Sequence, residues 1–538
     1  MKNFLILLLI FAGLTINSQS VTTFQRTLPT NNQGKEFVGA LIETNTSEFM
    51  VAGATSSFGA GLEDGYIMKT NSLGLPIWAK TYGGNAKDHI IDLYKKDSNT
   101  YYFTGVTTHS TRGEEAMFGK LDGNGNLAWV KTYGGSGNDA TRRIVRDNAN
   151  NFYLVGYGSN IASSGEDILV LKVDSIGGLI WSRSYGTILD DRARYAQLDS
   201  KGNLIVSGWS DNSSVIEGVI LKLSPSGSLL WSNNYSSTKL IKMQEFVIDA
   251  SDNIYVTGKS KLQFSISTSR SNHFLMKLDS SGTQQWLKIY EDRNQFGGFK
   301  LSYTHNNTGF IMAGDGRRDY SGSLDTMDCY YMKTDLSGNI TWSHILNGTA
   351  DDRRPRVIAT KDGGYLLGAH TASFSAGDSN DIYLIKTNSL GASGCNSVTG
   401  NFAIRTANFT KSTSTFVSSS TGITQGNLTW SGVKANFSHD TLCQQIPSSG
   451  VSIKEKSLFS IILYPNPTTQ FVTLSLKGEI ENKRVSYSLI DLSGRVVISN
   501  QRIANKPINI NLEHLKSGTY IVQVMIDGNV ITQKLIKY

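Results

Sequence analysis

Two stretches have residue types suited to ligand chemistry, though not the spacing. Residues 113–120, GEEAMFGK, set a lysine after a pair of glycines as phosphate-cradling loops do. Five residues separate those glycines where the motif has four, and Leu121 replaces the hydroxyl that would hold magnesium. Residues 122–126, DGNGN, open like a calcium loop, but the twelfth position is Tyr133 instead of a bidentate glutamate. The equivalent segments at Asp174, Asp279 and Asp335 lack the ligand pattern and read as turns with a glycine in the left-handed position. The eight histidines are scattered, with no HExxH pair, and no GxSxG nucleophile elbow occurs. The reading therefore assigns no catalytic residue, no metal and no cofactor.

A second class of candidate recurs. Asp88, Asp139, Asp191 and Asp352 occupy equivalent positions, with Arg142, Arg192 and Arg353 nearby. A unique active site has no use for copies, so these aspartates are expected to make structural hydrogen bonds. Tyr157 and Trp209 differ, because other copies place Ala54, Val106, Lys259, Asp315 and Ala369 at the same point. Two neighbouring aromatics on a loop face suit stacking on sugar rings or anchoring a protein, the alternative being packing between repeats. Tyr157, Trp209, Arg142 and Arg192 are the expected ligand-binding set.

These residues are positioned by a long repeat. Tryptophans at 78, 129, 181, 231, 286 and 342 are separated by 51, 52, 50, 55 and 56 residues. β-rich runs ending at Gly53, Gly105, Gly156, Gly208, Gly258, Gly314 and Gly368 agree in phase, as do seven segments of the DILVLKVDSIG type. Each copy holds four short alternating runs divided by Gly, Asn, Asp and Ser, which predicts a seven-bladed β-propeller over residues 21–395. Residues 22–28 match the strand that follows each tryptophan, a strand the seventh copy lacks, so the N-terminal strand is expected to complete the last blade. The long connections near 54–63, 106–114, 157–166, 209–216, 259–272, 315–327 and 369–380 would share one face, the expected functional one. The region resembles bacterial secreted seven-bladed propeller repeats, and LDSSGTQQW and TDLSGNITW echo the Asp-box of sialidase propellers at a different spacing, from which no sialidase follows.

With 538 residues, 39% hydrophobic and 18% charged, the chain reads as folded and multidomain. The net charge is +7, but residues 451–538 carry 11 Lys/Arg against 6 Asp/Glu and Lys2 adds one more, leaving the main body near neutral. With no Lys/Arg run, nucleic acid is excluded as a partner. Residues 1–20, MKNFLILLLIFAGLTINSQS, read as a signal peptide, and no later run is long and apolar enough to span a membrane. Residues 396–457 are Ser/Thr-rich and read as a β-poor linker with a hairpin around Asn427 to Val433. Cys395 and Cys443 bracket this segment and can pair in an exported protein or remain free thiols, while Cys329 reads as a core residue.

Residues 458–538 read as a small β-sandwich. They carry Tyr464-Pro465-Asn466-Pro467, Asp491-Leu492-Ser493-Gly494-Arg495, Leu515-Lys516-Ser517-Gly518-Thr519-Tyr520 and a basic final strand with Lys534. This segment is similar to the type A C-terminal sorting domain of the type IX secretion system of Bacteroidetes. The resemblance implies export to the cell surface, with Pro465, Asn466, Pro467, Gly494, Gly518, Tyr520 and Lys534 as signal residues and the secretion machinery as partner. Pro465 and Pro467 would stiffen the entry to the first strand, and Gly494 and Gly518 would permit turns. The functional expectation is an all-β, non-enzymatic secreted or surface module that binds glycan or protein. The alternative is an extracellular polysaccharide hydrolase or lyase.

Overall fold

Alternating apolar and polar residues in each copy of the repeat close into a four-stranded antiparallel sheet, because a pleated strand sends successive side chains to opposite faces. A computed structural model describes residues 21–30, 34–44, 47–109, 113–159, 165–237, 239–261, 271–291, 295–318, 326–375, 380–445, 459–478, 484–491, 495–503, 507–526 and 529–538. The expected signal peptide and Gly494 lie outside the described residues. The chain is all-β and divides into two units, Met1–Pro447 and Ser448–Tyr538.

In the first unit seven leading strands begin the sheets: Glu36–Glu43, Asp88–Lys95, Asp139–Arg146, Asp191–Leu198, Leu240–Ile248, Gln295–Tyr303 and Asp352–Ala359. Each pairs in order with the next strands of its own repeat. The fourth and fifth sheets are also joined by a single parallel bridge between Ile216 and Leu240. The leading strand of each sheet touches that of the next, and the seventh touches the first. The seventh repeat supplies only three strands, and Thr23–Leu28 takes the fourth place against Asp381–Thr387. It is buried along its whole length.

The conserved-looking pattern within the repeat has a mechanical explanation. The tyrosine four residues after each of the first five repeat tryptophans donates its hydroxyl to a turn-glycine carbonyl in the following sheet, as Tyr82 does to Gly125 at 2.7 Å, Tyr133 to Gly177 at 2.7 Å and Tyr290 to Gly338 at 2.8 Å; after Trp342 the position is Leu346. Gly125 adopts φ +73°, and a Cβ there would meet the Trp78 ring at 2.7 Å, so this position needs glycine on both counts. The aspartates that open these turns accept backbone N–H groups: Asp122 Oδ1 takes Asn124 N–H at 2.9 Å and Asn126 N–H at 2.8 Å.

The segment after Cys395 is not the β-poor linker expected from its composition. Ser397–Thr399, Ala403–Thr406, Thr410–Thr413, Val417–Ser420, Thr424–Leu428, Val433–Lys434 and Asp440–Gln445 are seven short strands. In that order they add a fifth strand to the sixth, fifth, fourth, third, second, first and seventh sheets. The expected hairpin is absent, since Thr424–Leu428 and Val433–Lys434 join different sheets. The cause lies in a second, shorter repeat: Phe402, Phe409, Phe416, Ile423, Trp430 and Phe437 recur every seven residues. Each packs on a different core between adjacent sheets. Seven extended residues reach at most roughly 23 Å, and each such step carries the chain from one sheet to its neighbour. The strap ends where it began, for Cys443 is disulfide-bonded to Cys395, with Cα atoms 6.1 Å apart. Cys329 is buried and free.

The second unit packs a three-stranded sheet (Phe459–Tyr464, Phe471–Gly478, Ile508–Asn511) and a four-stranded sheet (Val496–Ile503, Arg484–Asp491, Gly518–Ile526, Asn529–Lys537) around one core that includes Val472, Leu474, Leu489, Val522 and Leu535.

Candidate functional site

Every leading strand of the first unit carries a β-bulge near its start. Pairing slips between Val38 and Ala40, Ile90 and Asp92, Thr141 and Arg143, Ala193 and Tyr195, Met243 and Phe246, Gly298 and Lys300, and Arg353 and Arg356. A bulge leaves the extra residue outside the ladder and re-aims its side chain. Three of these extra residues are arginines, Arg142, Arg194 and Arg354, and all three line one cavity of about 420 Å³. Arg354 holds φ +53°, with its amide N–H donated to Asp315 at 2.8 Å.

Eight lysines and arginines line this cavity against two carboxylates. Both carboxylates are already engaged. Asp92 lies 3.3 Å from Arg143 and accepts the Ile144 N–H at 2.9 Å, while Glu245 pairs with Lys300 and accepts the Leu301 N–H at 3.1 Å. Each thereby ties one sheet to the next. Arg356 donates to the Gly39 carbonyl at 2.7 Å. Among the described residues, Arg142, Arg194, Lys242, Lys259, Arg354 and Arg356 form no ion pair, and the Nε atoms of Arg142 and Arg194 are buried without an acceptor. Burial, with Lys259, Arg194 and Arg192 adding repulsion, pushes the Lys242 ammonium down to about 8. Burial, Arg142 and Arg192 push the Arg194 guanidinium down to about 9. A second cavity of about 420 Å³ shares Arg142, Arg354 and Arg356 and has more apolar walls, including Val38, Val106 and Ala140.

The expected ligand-binding residues come together around two buried rings. Arg142 lies 5.2 Å and Arg192 4.8 Å from the Tyr157 ring; Arg192 lies 5.5 Å and Lys242 3.9 Å from the Trp209 ring. Cations and rings thus alternate from Arg142 to Lys242, and Arg192 also pairs with Glu166. Tyr157 is 8% exposed and Trp209 6%, so the rings are not open platforms for a sugar; they support the cations that face the cavity. Lys242, Lys259 and Arg194 were absent from the expected set. Lys242 and Arg194 lie on leading strands, and Lys259 pairs with Lys242 from the next strand, at the position that Tyr157 and Trp209 hold in their own repeats.

The recurrent aspartates cap loops. Asp88 accepts the Gly84 N–H at 2.7 Å, Asp139 the Gly135 N–H at 2.8 Å, Asp191 the Thr187 N–H at 2.6 Å, and Asp352 the Ser373 hydroxyl at 2.9 Å. Burial raises all four, and a neighbouring carboxylate (Asp64, Glu115, Asp167 or Asp328) raises each further. Asp139 and Asp352 reach about 7 and Asp191 about 6. Glu36, desolvated beside Asp381, reaches about 7. Among the described residues no group of three His, Cys, Asp or Glu is arranged to hold a metal ion.

In the second unit, Asn466 grips the final strand: its Nδ2 donates to the Lys534 carbonyl at 2.7 Å and its Oδ1 accepts the Ile536 N–H at 2.9 Å. Pro465 and Pro467 line a cleft with Phe471 and Tyr538, and the Tyr520 hydroxyl donates to the Lys516 carbonyl at 2.7 Å. Gly518 does not serve the turn role expected of it. It opens a strand, its φ is outside the left-handed region, and a Cβ would meet nothing within 4 Å.

Compared with known families, residues 462–538 match the secretion system C-terminal sorting domain. No curated protein matches the chain. The sorting domain is that of the type IX system, which implies interaction with its secretion machinery and export to the cell surface or beyond. Among the described residues no helix is long and apolar enough to cross a membrane.

Proposed function

We propose that residues 21–445 form a seven-bladed β-propeller, exported behind the signal peptide 1–20 by its C-terminal sorting domain, and that this propeller is a non-enzymatic binding module for glycan or protein at the cell surface or in the medium. The observation that carries the binding reading is the bulge cavity, where eight cations face two carboxylates and six of those cations form no ion pair among the described residues. The cyclic contacts of the leading strands and the pairing of Thr23–Leu28 with the seventh sheet support the propeller reading.

A hydrolase needs carboxylates that reach its substrate. The perturbed carboxylates here are 0% exposed at Asp139, Asp191 and Asp352 and 1% at Asp88, and they repeat from sheet to sheet beneath loops. A lyase is the stronger rival, since Lys242, depressed toward neutrality in a cationic cavity, has the character of a proton-abstracting base. A glycan array and a cell-surface binding screen, run beside a turnover assay on the same polysaccharides, separate these readings. Retained binding without turnover is expected; release of shortened or unsaturated products would overturn the binding-module reading. Deletion of residues 462–538 is expected to leave the passenger inside the cell in fractionation, and unchanged surface display would remove the sorting role.

A further inference from the structure

The ion pairs of the cavity set a charge balance that a ligand must complete. Asp92 and Glu245 are each already held by one cation and one backbone N–H, leaving two engaged carboxylates against eight cations. Arg142, Arg194 and Lys242 face about 420 Å³ of space without an ion pair among the described residues, and Lys259 and Arg354, which line it too, share the single buried carboxylate of Asp315. Two of the guanidinium groups bury an Nε that finds no acceptor, which a folded protein normally avoids because an unmet buried donor is costly. Lys242 lies 3.9 Å from the centroid of the Trp209 ring, and Arg142 lies 5.2 Å from that of Tyr157, so the cations are preorganised before anything binds.

We infer that the bulge cavity is a site for a compact oxyanion group carrying at least two negative charges, a phosphate monoester or closely spaced sulfate esters, gripped by Arg142, Arg194, Lys242, Lys259 and Arg354. This deepens the binding-module reading and rests on it. A neutral sugar leaves the charge unbalanced, and one carboxylate supplies a single charge. A phosphate monoester brings close to two charges and three acceptor oxygens, matching guanidinium forks and point-charge ammonium groups together. The volume suits a group of sugar-phosphate size. The adjoining second cavity, with Val38, Val106 and Ala140 in its wall, leaves room for the less polar body that carries the group.

The test uses the full chain at low ionic strength, with titration calorimetry and thermal melting. The probes are inorganic phosphate, inorganic sulfate, a sugar phosphate, a disulfated disaccharide, and the neutral parent sugars. The sugar phosphate or the disulfated disaccharide is expected to bind at least about tenfold tighter than its neutral parent, and weaker as salt rises. If the inorganic ions bind as tightly as the esters, the ligand is the free ion; if the esters win, it is the substituted sugar. Arg194→Gln and Lys242→Gln are each expected to weaken that binding about tenfold. Removing an unneutralised like charge is also expected to leave the unliganded melting temperature unchanged or higher by a few degrees. A cation serving only the fold would lower it.

Esters that bind no tighter than their parents, or variants that melt lower and bind normally, overturn the inference. Tight binding of a neutral glycan, insensitive to both substitutions, overturns it while leaving the binding-module reading intact. Absence of any binding together with turnover removes both.

Discussion

Replacing Cys395 and Cys443 together with serine is expected to destabilise the first unit by about 4 kcal/mol, the chain-entropy value for a closed loop of this length. The loop in question is the whole strap, so its release frees the ends of a segment whose strands are only two to six residues each. Such short edge strands hold by side-chain anchorage more than by their ladders. Phe409, 6% exposed and set edge-on to Phe274 with ring centroids 5.3 Å apart, is one of those anchors, and Phe409→Ala is expected to cost about 3 kcal/mol by loss of burial. Calorimetric melting with and without reductant reads the first effect directly. Reductant should lower the melting temperature of the natural chain and leave that of the double serine variant where it is, with Cys329→Ser as the control for the buried free thiol. A natural chain that melts identically in reductant would show that the strap contributes nothing through its clasp.

Stability is expected to fall as pH rises from 6 to 8. Glu36, Asp139 and Asp352 reach about 7 and Asp191 about 6 in the folded state, first because burial disfavours their charge and then because a second carboxylate lies close by. In the unfolded chain these groups ionise near pH 4. The folded state therefore holds more protons in the intervening window, and the stability these groups contribute is fully present below about pH 4 and lost as pH climbs through 7. Two buried histidines work in the opposite direction: burial lowers His273 and His370 to about 3, so they gain stability with rising pH, but only up to the ordinary histidine range near 6.5. Above that the carboxylates dominate, and the combined loss between pH 6 and 8 is on the order of 4 kcal/mol. The depressed Lys242 and Arg194 begin to oppose it from about 8 upward. Urea titrations at half-unit pH intervals measure the slope. Asp139→Asn, which fixes the neutral form, should flatten it by roughly 1 kcal/mol. A profile that is level or rising from pH 6 to 8 would mean the carboxylates are ionised in the native state.

The sheets were legible in the sequence because all seven repeats carry a glycine-terminated strand and a turn ending in glycine, and six of the seven also carry the tryptophan. The same phasing identified Thr23–Leu28 as a displaced member of the series. The strap escaped for a physical reason. Its strands are stabilised by partners up to about 420 residues away in sequence, with Gln25 facing Cys443, and its own signal is one large apolar residue in seven among Ser and Thr. A period of seven is shorter than the roughly 20–50 residues of most repeat architectures, and the composition resembles a linker. The cationic cavity escaped through averaging. Its charges come one or two per repeat, some fifty residues apart, so a regional net charge near zero conceals a local excess of six. Tyr157 and Trp209 were singled out correctly as unusual, but an aromatic side chain at a loop base is as well suited to backing a cation as to facing solvent, and sequence carries no sign of which side is open.

The clasp also determines how the molecule answers a pull. Asp440–Gln445, the last strand of the first unit, lies antiparallel to Thr23–Leu28, so both chain ends of that unit leave from one place. A chain tethered through its C-terminal side and dragged by flowing medium would feel tension first at residue 445. Without a crosslink that tension would peel the strap away one short strand at a time, each giving way to little force. With Cys443 joined to Cys395, it passes after two residues into the turn that follows the buried strand Asp381–Thr387, and the rest of the girdle stays slack.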